Sequence, residues 1–171
     1  MGSGRQLRFL YGTNTTDAIA RSIVDFMLPV VVVSGLGGAA TDVGILNAVS
    51  GAGFILLGVP LGYFADKSTT VRALGVSLAL KLLAILILIV GVTFGFLNFV
   101  VVLAAAGLFG VGIVGAESAQ TVAAVRLAGL GSVARVYSKL QSADTAASIA
   151  MPVVAGVLLS WSDLGLLAIV V

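Results

Sequence analysis

The sequence predicts an all-α membrane protein: a helical bundle of five complete transmembrane helices plus the start of a sixth. Three observations predict it. Of the 171 residues, 60% are hydrophobic and 9% are charged, with a mean hydropathy of +1.21, whereas roughly a quarter of an ordinary soluble domain is charged. The apolar residues form long runs separated by glycine-rich or charged connections, which points to spanning helices rather than a barrel. Lys and Arg gather in alternate connections, as topology-setting charges do.

The composition also excludes much chemistry. The chain has no His and no Cys, which removes thiol nucleophiles, disulfides, imidazole acid–base catalysis and most metal sites. It has no G-x-x-x-x-G-K-[ST] phosphate loop, so ATP hydrolysis is not expected. No cofactor, no metal and no enzymatic activity are expected. The net charge of +2 and pI near 9.3 come without a basic and aromatic patch, so nucleic acid is not an expected partner.

The first span covers about 15–33, behind a basic and aromatic stretch, Arg5 to Tyr11, that suits the headgroup region. A cleavable signal peptide with 26–33 as its apolar core is opposed by Asp17 and Asp25, which stand where such a leader is basic. A glycine-rich turn follows, and Thr41 or Asp42 is placed to cap a second span at about 43–64. Gly44, Gly51, Gly58 and Gly62 fall on one face of that span, a face suited to close helix packing.

The third span, about 73–90, is almost wholly Leu, Ile, Val and Ala apart from Lys81. That lysine is either functional or carries its ammonium to the interface on its long stem, the favoured reading. Gly91 to Gly95 makes a turn before a fourth span at about 98–122, rich in Ala and Gly, with Glu117 toward its end. Arg126 to Ser132 is a basic loop. The fifth helix, about 133–160, carries Ser138, Gln141, Thr145 and Ser148 as a polar stripe with Asp144 beside it, so this side should face water or a substrate path. After Trp161 and Asp163 a sixth apolar run, 164–171, covers only about 12 Å at 1.5 Å per residue. The chain thus reads as a single N-terminal transmembrane bundle, 1–171, truncated within its sixth helix.

The connections after the first, third and fifth spans hold Asp42 and Asp163 but no Lys or Arg. The clearly extramembrane bases, Arg5, Arg8, Lys67, Arg72, Arg126, Arg135 and Lys139, fall on the other side. Positive charge in short loops marks the cytoplasm, so the N-terminus is expected there.

One polar connection stands apart, Gly62-Tyr63-Phe64-Ala65-Asp66-Lys67-Ser68-Thr69-Thr70-Val71-Arg72. With Leu74 it resembles the signature loop of the major facilitator superfamily, G-x-L-A-D-[RK]-x-G-[RK]-[RK]-x-x-L. Gly62, Ala65, Asp66, Lys67 and Leu74 match; Phe64 takes the leucine place and Thr69 the second glycine place. Further on, Ala147-x-x-x-Met151-Pro152-x-x-Ala155-Gly156 resembles the g-x-x-x-G-P-x-x-G-G motif of that family's exporters, with Pro152 and Gly156 matching. The resemblance covers nearly the whole chain as the N-terminal six-helix half of such a transporter, on its drug-exporter-like branches. It implies secondary active transport of a small molecule by alternating access, ion-coupled and outward, across a bacterial inner membrane. It also implies a missing C-terminal half, in the same chain or a second one, facing the second helix, and a gating role for Gly62, Asp66, Lys67 and Arg72. A non-transporting membrane scaffold, or an inactive remnant, is the alternative.

The residues themselves nominate the site. Asp17, Arg21 and Asp25 lie along one helical stripe and can form successive ion pairs. Burying one charge at mid-bilayer costs roughly 2.5–3.5 kcal/mol on insertion scales, so each needs a reason. Asp17 and Arg21 suit the interface, while Asp25 lies deeper, where a carboxylate either couples protons, cations or substrate or forms a static ion pair that fixes helix packing. Asp144 is the second such candidate, with Gln141, Thr145 and Ser148 as cavity-lining groups beside it.

Overall fold

The computed structural model describes residues 3–128 and 132–160. Five long helices account for nearly all of them: α1 (Ser3–Val30), continued by a π-helical turn Val31–Gly35, then α2 (Ala40–Lys67), α3 (Thr70–Thr93), α4 (Phe99–Ala128) and α5 (Val133–Ser160). No strand occurs among the described residues. Four helices are long and apolar enough to cross a membrane, namely Arg8–Gly35, Ala40–Lys67, Thr70–Thr93 and Phe99–Leu127. The expected sixth run, 164–171, lies outside the described residues.

Helix bounds differ from the sequence expectation where polar residues are satisfied locally. Helix α1 starts at Ser3 rather than near residue 15. Its threonine-rich stretch stays helical because the hydroxyls return to their own backbone: Thr15 donates to the Tyr11 carbonyl at 2.9 Å and Thr16 to that of Gly12 at 3.0 Å. Asp42 does cap α2, but from its first turn: the Ala39 N–H donates to its carboxylate at 2.8 Å, and Ala39 is the capping position. Thr69, in the place of the motif's glycine, caps α3 by accepting from the Arg72 N–H at 3.3 Å. Helix α3 runs through Gly91 to Thr93, and Gly95, at φ +69°, reverses the chain while the Phe96 and Leu97 N–H groups return to the Gly91 carbonyl. Asn98 accepts from the Val101 N–H at 3.0 Å and opens α4.

Helix α4 is the centre. It packs on α3, α2 and α1, whereas α5 packs chiefly on α1. Of its most apolar stretch 56% is buried, against 12% in α2. In lipid, apolar side chains gain little from meeting one another, so close packing depends on small residues and polar pairs. Both are found here. Ala105, Ala106, Ala116, Ala119, Ala123 and Ala124 of α4 are buried, and Gly110 lies so near the Ser50 carbonyl of α2 that a Cβ would collide with it. Ile55, Val59 and Leu82, by contrast, are exposed, as suits helices apolar on every side.

Candidate functional site

Polar residues on α1, α3, α4 and α5 meet inside this apolar bundle. On α3, Lys81 is buried and its Nζ lies 2.5 Å from Oδ1 of Asp17 on α1, with the Phe109 ring 6.0 Å away. This corrects the expectation that Lys81 reaches the interface. A side chain pointing at a carboxylate across the bundle is paid back by the ion pair, whereas a longer reach to water leaves Asp17 alone. Room for it comes from Gly112, where an added Cβ would stand 2.7 Å from the Lys81 Cγ. Ser77, one turn earlier, lies against Gly115 and donates to the Ala73 carbonyl at 2.9 Å.

One turn beyond Asp17, Arg21 pairs with Glu117 of α4, and its Nε lies 3.6 Å from the Asp25 carboxylate. The expected run of pairs along α1 therefore holds for Arg21 and Asp25. Asp17 turns to α3 instead. Glu117 was not among the sequence candidates; the signal was its position as the lone acid of α4.

Asp144 is held from α1. The Asn14 amide, itself buried, donates to Oδ1 of Asp144 at 3.1 Å and to the Leu140 carbonyl at 3.2 Å. An asparagine seven residues ahead of the helix's arginine, Arg21, gives no signal of its own, so Asn14 too escaped sequence reasoning.

The two carboxylates occupy neighbouring clefts. Asp25 lines a cleft of about 310 Å³ with Arg21, Asn47, Ser50, Gly51 and Gly110, between α1, α2 and α4. Pro29, which has no N–H to continue the helix's hydrogen-bond ladder, lines the same cleft. Asp144 lines a second cleft, about 330 Å³, with Asn14, Glu117, Gln120, Tyr137 and Gln141. Asp25 and Asp144 share no cleft; the Arg21–Glu117 pair stands between the two, one member lining each.

The polar stripe of α5 divides. Gln141 joins the Asp144 cleft and also an open groove with Ser138 and Thr145. Thr145 and Ser148 are exposed and donate to their own helix, to the Gln141 and Thr145 carbonyls, each at 2.9 Å. The glycine face of α2 is unfilled: a Cβ added at Gly44, Gly51, Gly58 or Gly62 would meet nothing within 4 Å. Packing of α2 on α4 uses Gly53 and Gly110 instead.

The polar connection is a tight turn between α2 and α3. Arg126 of α4 donates to the backbone carbonyl of Asp66 at 2.6 Å and to that of Ser68 at 3.3 Å. Lys67 lies over the Tyr63 ring at 4.8 Å, and Asp66, Lys67 and Arg72 are exposed. Among the described residues no three acidic side chains converge as they would around a metal ion.

Fold and site together define a helical protein in which four helices are long and apolar enough to cross a membrane and charged side chains pair between helices. Comparison with protein-family models, with characterised proteins and with solved structures returns no match.

Proposed function

We propose that this chain is the N-terminal half of a secondary active transporter of the major facilitator type, moving a small molecule outward across a bacterial inner membrane by alternating access. The supporting observation is the charged interior. Among the described residues, Lys81 pairs with Asp17 and Arg21 with both Glu117 and Asp25, whose side chain keeps 52% of its surface exposed, and Asp25 and Asp144 each line a cleft. Intramembrane charges are expensive and mark ion or substrate paths. In this reading Asp25 and Asp144 couple protons or cations to the substrate, and Gln141 contributes to the lining, with Thr145 and Ser148 facing the second half. The N-terminus lies in the cytoplasm. A second six-helix bundle, in the same polypeptide or a partner, covers the open faces of α2 and α5, and Gly62, Asp66, Lys67 and Arg72 close the cytoplasmic side against it.

Everted membrane vesicles from cells producing the chain together with its second half test this. A panel of small organic solutes should drive proton movement, read with a pH-sensitive dye, above that of empty vesicles. Asp25→Asn should remove the response. If that variant keeps the wild-type pH dependence, Asp25 has no coupling role.

A second reading, a non-transporting membrane scaffold, is favoured by one observation, the empty glycine face of α2. It predicts that Gly51→Leu abolishes capture of a partner helix, while the vesicles show no solute-driven proton movement at all.

A further inference from the structure

The cations of this molecule are not all treated alike. Arg21 and Lys81 pair with carboxylates, Arg126 grips two backbone carbonyls, and Lys67 covers the Tyr63 ring. Among the described side chains, Arg8, Arg72 and Arg135 have no anionic partner, and Lys139 has only the ring of Tyr11, 5.8 Å away. Three of these four belong to one seam, the start of α1 against the start of α5.

The register of that seam is set by side-chain contacts. Leu10, Val136 and Leu140 share one apolar cluster with Tyr11 packed against it, Lys139 lies over Tyr11, and Asn14 reaches the Leu140 carbonyl. The two helices therefore start side by side and run in the same direction. Arg8, three residues before Tyr11, and Arg135, four before Lys139, then stand about one turn nearer the helix starts. Both are exposed. No Asp or Glu occurs before Asp17 in the chain, and none occurs between Val133 and Ala143. The positive charge of the seam is thus uncompensated by side chains.

The same end carries exposed aromatic rings. Phe9 is 68% exposed and Tyr137 48% exposed, and the amphipathic ring of a tyrosine settles at headgroup depth. The cations stand beside them, so they are held where phospholipid phosphates lie.

We propose that Arg8, Arg135 and Lys139 form a binding site for the phosphate of an anionic membrane lipid at the α1–α5 seam. Charge complementarity selects an anionic headgroup, and the aromatic neighbours select one attached to a bilayer rather than a free ion. The lipid would tie α5 to α1 at the end opposite Pro152, beyond the reach of the Asn14–Asp144 contact. Lipid capture requires only that this end meets a bilayer surface, so it stands or falls separately from transport.

The test is retention of lipid by the purified full chain in micelles doped with phosphatidylglycerol or phosphatidylcholine, counted by native mass spectrometry. Wild type should retain the anionic lipid in preference, by roughly tenfold or more, and each cation removed should cost roughly fivefold. The triple variant R8Q/R135Q/K139Q should show no preference, R8K/R135K/K139R should keep it, and Arg72→Gln should not alter it. Should the triple variant lose helicity by circular dichroism, the single variants R8Q and R135Q give the same reading. A preference that survives neutralisation, or that falls equally with Arg72→Gln, overturns the site. Equal occupancy by millimolar inorganic phosphate without lipid overturns the choice of a lipid.

Discussion

Arg21 of α1 bonds Glu117 of α4 and at the same time holds its Nε 3.6 Å from the Asp25 carboxylate. One guanidinium thus serves two acids from two clefts, and no other described side chain does so. Both members of the Arg21–Glu117 pair keep 34% of their side-chain surface exposed, so water reaches the pair and moderates its strength.

Removing Glu117 should therefore cost less than breaking a fully enclosed pair. Glu117→Gln is expected to destabilise the chain by roughly 1–3 kcal/mol, below the range of about 3–5 for buried pairs. Thermal unfolding in detergent, followed by circular dichroism, measures it. Arg21→Gln combined with Glu117→Gln should lose less than the sum of the two single changes, and strict additivity would show that the two side chains are not coupled.

The Lys81–Asp17 pair is asymmetric. The side chain of Lys81 is 6% exposed and that of Asp17 28%. Asp17→Asn strands the more deeply buried charge, so it should destabilise more than Lys81→Met, by about 1 kcal/mol or more. Had Lys81 reached the interface, both changes would lie within about 0.5 kcal/mol of wild type. The same unfolding measurement decides.

Asn14 supplies one amide to two acceptors on α5. Asn14→Ala leaves the Asp144 carboxylate without its donor, at a cost of roughly 1–3 kcal/mol. Amide hydrogen exchange should rise across α5 around Leu140 to Ser148 and stay unchanged in α3, which packs chiefly on α4. Uniform change over all helices would contradict a local tie.

Two glycines should respond oppositely. At Gly110 a Cβ collides with the Ser50 backbone, so Gly110→Ala should destabilise the α2–α4 contact by about 1–3 kcal/mol. Gly58 has open space around it, and Gly58→Ala should be neutral or stabilising by up to about 1 kcal/mol, as expected for a glycine within a helix. A destabilising Gly58→Ala would reveal a packing partner on that face.

The α2–α3 turn separates backbone from side chain. Arg126 holds the Asp66 carbonyl, not its carboxylate, so Asp66→Ala should leave exchange at Ser68 and Thr69 as in wild type. Arg126→Gln should raise it, for the loss of hydrogen bonds worth roughly 0.5–1.5 kcal/mol each. Equal effects from both variants would place the contact on the carboxylate instead.

The sequence by itself determined the helical class, the placing of the apolar runs and the candidacy of Asp25 and Asp144. Apolar run length and charge scarcity are properties of a segment on its own, and they dictate that its backbone be satisfied within a helix. The start of α5 at Val133 was legible instead from the basic stretch Arg126 to Ser132 ahead of it. What a charge does inside the bundle is a relation between segments, and only the tertiary structure decided it. Lys81 and Asp17 stand 64 positions apart, and Arg21 and Glu117 stand 96 apart; no periodicity along one helix links such pairs. The glycines show the same limit: a seven-residue spacing marks a face of α2, yet Gly58 meets nothing there, while Gly110 of α4, outside that spacing, meets the Ser50 backbone, because contact depends on where the other helices come to rest.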